Sequence, residues 1–210
     1  MVDYTAELPE ISELIPQLSG PVKLAGQAAQ SGEIWNVAAN ATGPYDASVD
    51  VAAAIAQTIT AEYSAELPEL SQLVPQLSGP LTLAGDVEQR GAGWDVTANA
   101  KGPYEARVDV IAAISETISA DYSVKIPQLS VIPELAGINP PLNGPLNLDG
   151  SAVQDGSAWD VTLDGDGPFA STLSATARVD GADVSAEFAS RVPDASVSYT
   201  HLTLPTILLV

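Results

Sequence analysis

The sequence predicts an all-β fold: a long, ribbon-like, repetitive antiparallel sheet. The chain repeats itself. YTAELPEISELIPQLSGPVKLAG (Tyr4 to Gly26) returns as YSAELPELSQLVPQLSGPLTLAG (Tyr63 to Gly85), and Tyr4, Tyr63 and Tyr122 stand 59 residues apart. Trp35, Trp94 and Trp159 recur at 59 and then 65 residues, as do Gly43, Gly102 and Gly167 of the GPY/GPF marks. Within each unit apolar and polar residues alternate with period two, the pattern of a half-buried strand. Gly-Pro pairs punctuate the alternating runs, and such pairs mark turns.

Taken in order, a unit supplies about four short strands. After the tyrosine, LPELSQLVPQL is bracketed by prolines and reads as an irregular connector or a single helical turn. GPVKLAG, GPLTLAG and GPLNLDG then open a strand. WNVAANATG and WDVTANAKG form the next, with Trp, Val and Ala on one face and Asn, Asp and Thr on the other. Beyond GPY, the odd positions from Ala47 run Ala, Val, Val, Ala, Ile to Tyr63, and the same series runs from Ala106 to Tyr122. Alanine would suit a helix here, but alternating Val, Ile and Thr favour a strand. The run exceeds an ordinary strand of about five to six residues. It is expected to turn near Gln57 to Thr58 and near Ser115 to Thr117. The units fall at 1–62, 63–121 and 122–196, and the third carries six extra residues between Tyr122 and Gly144, in a proline-rich stretch where insertion is tolerated.

Composition narrows the function. The formal charge is -20, from 27 acids against seven bases. Nucleic acid wants a basic stripe, and anionic lipid a polybasic patch, so neither docking mode fits. With no cysteine there is no disulfide and no thiolate site. No apolar run is long enough to span a membrane, and no signal-peptide pattern is present. GxSxG, GxxxxGK and HExxH are absent, and nothing assembles a nucleophile with a base. The expectation is a protein without enzymatic activity, with no catalytic, cofactor or metal residues.

Each informative residue has a plain reading beside a sharper one. The three tryptophans are more often anchors closing a sheet than ligand contacts. The alternating apolar face could be the inside of a β-sandwich. LDGDGPF (Leu163 to Phe169) faintly resembles a calcium loop but lacks the spaced oxygens and closing Glu, so it reads as a turn. Asp46 and Asp50, like Glu105 and Asp109, read as solubilising charge on the solvent side. The sharper reading gathers Trp35, Val37, Val49, Val51, Ile55, Trp94, Val96, Val108, Val110, Ile114, Trp159 and Val161 on one apolar face that solvates acyl chains. Each buried methylene is worth about 0.8 kcal/mol, so a 16-carbon tail would gain on the order of 10 kcal/mol. Small alanines leave room for such a chain, and the acidic exterior keeps the ribbon soluble.

From Leu67 to Val110, the order SGPLTLAG, a short acidic spacer, GAGWDV, GPY and ARVDV resembles the TamB family of translocation and assembly modules. These belong with the AsmA-like bridge proteins of Gram-negative bacteria. The third unit keeps GPLNLDG, GSAWDV and GPFAST, so the resemblance covers roughly Tyr4 to Val192. It implies the periplasmic part of an inner-membrane-anchored protein, its repeats curled into an open, taco-like groove with an apolar interior. It further implies a role in outer-membrane biogenesis, through phospholipid transport or outer-membrane protein assembly. The partners implied are phospholipid acyl chains and an outer-membrane assembly factor. The alternative is a structural stalk of closed β modules, as in a secreted adhesin.

The last residues speak differently. VSYTHLTLPTILLV (Val197 to Val210) is uncharged and holds the one histidine, His201. Its codons can be those of a transposon-end sequencing adapter, stopping point included, so residues 197–210 are expected to be an assembly artefact and His201 no site residue. By the repeat register Met1 corresponds to Thr60, and the chain is expected to be an internal piece of a longer array.

Overall fold

The chain is described by a computed structural model covering residues 1–12, 19–135, 137–138 and 141–193; the 197–210 segment lies outside the described residues. Thirteen strands follow one another: β1 (Val2–Leu8), β2 (Val22–Ser31), β3 (Ile34–Thr42), β4 (Ser48–Ile55), β5 (Ile59–Leu67), β6 (Leu81–Arg90), β7 (Gly93–Lys101), β8 (Arg107–Ile114), β9 (Ile118–Ile126), β10 (Leu146–Asp155), β11 (Ala158–Gly167), β12 (Ser171–Asp180) and β13 (Asp183–Arg191). Each strand pairs antiparallel with its neighbours in sequence, so spatial order is chain order in a single sheet. The period is four strands, and the sheet runs unbroken through 62/63 and 121/122, which fall inside β5 and β9.

The sheet is open and uncurled, with β1 and β13 as its edges. The curl that the resemblance implies is therefore not a property of this sheet. Nor does a second layer close over either face among the described residues, as a sandwich would require. Burial reflects this: among the described residues Leu67, Leu129 and Ala158 are the buried hydrophobic ones. Stability must come mainly from cross-strand side-chain pairs and the ladder itself. No helix of the described residues is long and apolar enough to cross a membrane.

The two rims differ. Along one, tight turns carry Gly32, Gly91, Gly156 and Gly181 at φ between 61° and 64°, where an L side chain is disfavoured. The other links on that rim are the expected bends: the Ala56 amide donates to the Thr58 carbonyl (3.0 Å), and Ser115 to Thr117 (2.8 Å). A three-residue link keeps side-chain parity, so Ile55 pairs Ile59 and Ile114 pairs Ile118 on the same face.

Proline-bracketed connectors fill the opposite rim. In the β5–β6 connector a short 3-10 turn, Leu70–Gln72, follows Glu69. The Glu69 carboxylate accepts from the amides of Ser71 (3.2 Å) and Gly79 (2.9 Å), clasping the loop shut. Glu10 does the same with Ser12 (3.1 Å) and Gly20 (2.8 Å). In the third copy the neutral Gln128 accepts from Gly144 (3.2 Å), and the six extra residues lie in this β9–β10 connector. Beside each connector sits a Gly-Pro turn, with Pro44, Pro103 and Pro168 against Gly20, Gly79 and Gly144. Each turn holds two successive non-glycine residues at left-handed φ: Tyr45 and Asp46, Tyr104 and Glu105, Phe169 and Ala170. Such backbone costs roughly 1–2 kcal/mol per residue. Proline pre-sets the entry, and the Gly102 amide donating to the Ala106 carbonyl (2.9 Å) closes the loop.

The turn read in LDGDGPF occupies only its end. Leu163 to Gly167 completes β11, and the turn begins only at Pro168. Asp164 and Asp166 therefore point together to the polar face, opposite Asp149 and Asn147. Among the described residues no cluster of three acidic or histidine side chains could hold a metal ion.

Candidate apolar ligand face

Residues paired across a ladder share a face, so one row can be followed over the whole sheet. From Tyr4 it passes Gly26, Ala39, Val51, Tyr63, Gly85, Ala98, Val110, Tyr122, Gly150, Leu163 and Ala175 to Phe188. There is no polar residue in it apart from the three tyrosine hydroxyls. The next row toward the loops holds Val49, Leu83, Val108 and Leu148, and the row toward the tight turns holds Val37, Val96 and Val161. Outermost stand the pairs Trp35–Ile55, Trp94–Ile114 and Trp159–Val179. All twelve expected face residues thus lie on one side.

They are not a covered core. Trp35, Val49, Val51, Ile55 and Ile114 are exposed, and the other seven are half-buried. The tryptophans sit at the tight-turn rim, and among the described residues no layer lies above them. Beside each stands a glutamine on the same face. Gln30, Gln89 and Gln154 fold back to donate to the carbonyls of Gly32 (3.1 Å), Gly91 (3.3 Å) and Gly156 (3.1 Å), keeping their amides off the apolar surface.

The tyrosines organise the face in a way the period-two pattern does not reveal. Tyr63 on β5 lies across Gly85 of β6 and donates to the Thr97 carbonyl on β7 (2.9 Å). Tyr122 crosses Gly150 to reach the Thr162 carbonyl (2.8 Å), and Tyr4 crosses Gly26 toward the Ala38 carbonyl (3.5 Å). A Cβ on Gly85 or Gly150 would come within 2.5 Å of the overlying phenol. One side chain thereby ties three strands. Its only trace in the sequence is a tyrosine matched to a glycine across the connector.

The reverse side is polar and acidic. Asn40 donates to Asp50 (2.8 Å) and Asn99 to Asp109 (3.1 Å), while Asp46 and Glu105 belong to the Gly-Pro turns. Arg90 pairs with Asp95 (2.6 Å) and Arg178 with Asp160 (2.6 Å) and Asp155 (2.9 Å), exposed bridges worth little in stability. Ile34, Ile111 and Val153 are large apolar exceptions on it. Two hollows of about 620 Å³ each open on this polar side, floored by alanines such as Ala38 and Ala52 between Gln27 and Glu62. Small side chains between long charged ones account for them. No family model matches the chain, and no curated protein or solved structure gives a significant match.

Proposed function

We propose that the chain is a non-catalytic segment of a periplasmic bridge between inner and outer membranes in a Gram-negative bacterium. Its apolar face carries phospholipid acyl chains or assists outer-membrane protein assembly. The observation that carries this reading is the bare apolar face running across all thirteen strands. A contiguous exposed apolar patch of that extent is rare on a protein that works alone in water. Acyl chains suit it, because a sheet of Val, Ala and Ile rows offers continuous contact without polar interruption. On an open sheet a 16-carbon tail would bury roughly half its surface, worth on the order of 5 kcal/mol. The acidic reverse face keeps the loaded sheet in solution and away from anionic headgroups. An outer-membrane assembly factor as partner rests on the resemblance alone.

The test places a photo-crosslinker at Val51, Ile55, Val110 or Ile114, with Ser48 and Asp109 on the polar side as controls. After expression in a Gram-negative periplasm, mass spectrometry identifies the adducts. Phospholipid captured at the four apolar positions and not at the controls is the expected result. Crosslinks confined to the chain itself, or to further copies of it, would replace this reading with the structural stalk.

A further inference from the structure

The three loop-rim connectors share one closure and differ at the residue before its glycine. In the first two, Ser19 and Ser78 precede Gly20 and Gly79, whose amides are held by the carboxylates of Glu10 (2.8 Å) and Glu69 (2.9 Å). In the third, Asn143 precedes Gly144, and the clasp is the neutral Gln128 at 3.2 Å. Of the six asparagines in the chain, Asn143 alone precedes a glycine. It is exposed, and its own amide donates to the Pro141 carbonyl (2.8 Å). Asn36, Asn40, Asn99 and Asn147 lie within β3, β7 and β10. Gly144 is restrained on both sides. Its carbonyl accepts from the Leu129 amide (3.0 Å), and Gln128 is itself oriented by donating to the Ser130 hydroxyl (2.6 Å). The longest of the three clasps thus stands over the one Asn-Gly pair.

We propose that Asn143 is a self-modifying site: it deamidates through its own backbone, at a rate set by how often the Gln128 clasp opens. The Gly144 nitrogen loses its proton to solvent base and attacks Asn143 Cγ. The bond from Cγ to the side-chain nitrogen breaks and ammonia leaves, so a cyclic succinimide joins Asn143 to Gly144. Water then opens the ring. Attack at Cγ leaves aspartate, and attack at the backbone carbonyl leaves isoaspartate, whose main chain is longer by one methylene. Water is consumed, ammonia is released, and nothing is oxidised or reduced. Glycine suits the second position because no Cβ obstructs the approach of its nitrogen. The clasp opposes the first step, since an N–H donated to Gln128 keeps its proton. A carboxylate in its place opposes that step further, because its charge disfavours a neighbouring amide anion. The added methylene falls in the connector that already takes six extra residues, so strand register survives while the clasp on Gly144 is lost.

The full chain is held in mildly alkaline buffer at physiological temperature, and peptide mass spectrometry follows conversion at each asparagine. Labelling with isoaspartate methyltransferase separates isoaspartate from aspartate. Asn143 should convert well ahead of Asn36, Asn40, Asn99 and Asn147, and both products should form, as a ring opened at either carbonyl requires. Gln128→Ala should accelerate the conversion about fivefold to tenfold, the weight of one hydrogen bond. Gln128→Glu, which restores the clasp of the second repeat, should slow it. Exchange protection of β9 and β10 shows that each variant is folded. As conversion proceeds, the Gly144 and Leu129 amides should lose protection while β9 and β10 keep theirs. Conversion at Asn143 no faster than at the strand asparagines would overturn the proposal, and aspartate as the sole product would overturn the succinimide route. Equal rates in the unaltered chain and the folded Gln128 variants would remove the clasp as the controlling contact.

Discussion

The second and third repeats share one architecture and differ in how they fill it. Across β6, β7 and β8 the row beside the central one, on the loop side, reads Leu83, Ala100, Val108; across β10, β11 and β12 it reads Leu148, Gly165, Leu173. The third repeat thus enlarges one neighbour and gives the space back at the centre. The central row does the reverse, with Ala98 of the second becoming Leu163 in the third. The clasp residue changes from Glu69 to Gln128, and the connector grows by six residues without disturbing the strand register. What the two keep in common is the tyrosine seated on glycine. The fold tolerates compensated volume on its apolar face and variation at the rim, but retains the contact that joins three strands.

The largest expected effect tests that common feature. Gly85→Val and Gly150→Val should each cost about 2–4 kcal/mol, because a side chain there must displace both a phenol ring and packed backbone. A repeat sheet does not unfold as one unit, so a single melting temperature would blur the result. Hydrogen exchange resolved by strand should show loss of protection confined to β5–β7 for the first variant and β9–β11 for the second. Equal loss along the whole sheet, or none, would refute the local role.

Next come the compensating positions. Gly165→Ala puts a Cβ 2.6 Å from a Leu148 methyl, and should cost about 1 kcal/mol as that side chain is pushed aside. Ala100→Gly, the reverse change in the second repeat, should cost about 0.5–1 kcal/mol through backbone entropy alone. The pair Gly165→Ala with Leu148→Val should recover most of the loss, which denaturant titration monitored at Trp159 would detect. Somewhat smaller again, Tyr63→Phe and Tyr122→Phe each remove one hydroxyl-to-carbonyl bond and leave the ring in place. Each should cost about 1 kcal/mol, and the two should be additive because they lie in different repeats.

These contrasts also show what the sequence could convey. Strand faces were legible because side-chain parity survives the three-residue bends, so alternation from Ala47 to Tyr63 reads straight through a hairpin. The twelve face residues follow from that parity. In LDGDGPF the turn starts later than glycine density suggests, at Pro168, because Gly165 makes room for Leu148 inside the strand. The left-handed pair in each Gly-Pro turn was hidden because Tyr45, Glu105 and Ala170 are not residues that advertise positive φ. Curvature was out of reach because it depends on how all thirteen strands twist together, and no local pattern encodes it. The tyrosine–glycine seat joins residues 22 apart in the second repeat and 28 apart in the third, beyond any local period.

The smallest effect separates the repeats by pH. Hydrogen bonds from the Gly79 and Ser71 groups hold the Glu69 carboxyl below its ordinary range, and Gly20 and Ser12 do the same for Glu10. A folded-state pKa below the unfolded one means stabilisation present above the unfolded value and lost as pH falls through the folded one. Gln128 has no such titration, so its clasp on Gly144 should hold unchanged through the same window. Exchange protection factors of the Gly79 and Gly144 amides, corrected for intrinsic rates, should therefore diverge as the solution is acidified below the ordinary carboxylate range. Glu69→Gln should make the second repeat behave like the third, with a clasp insensitive to acid. If Gly79 in that variant still loosens with acid while Gly144 does not, the carboxylate is not the group responsible, and the difference lies in the connector's length instead.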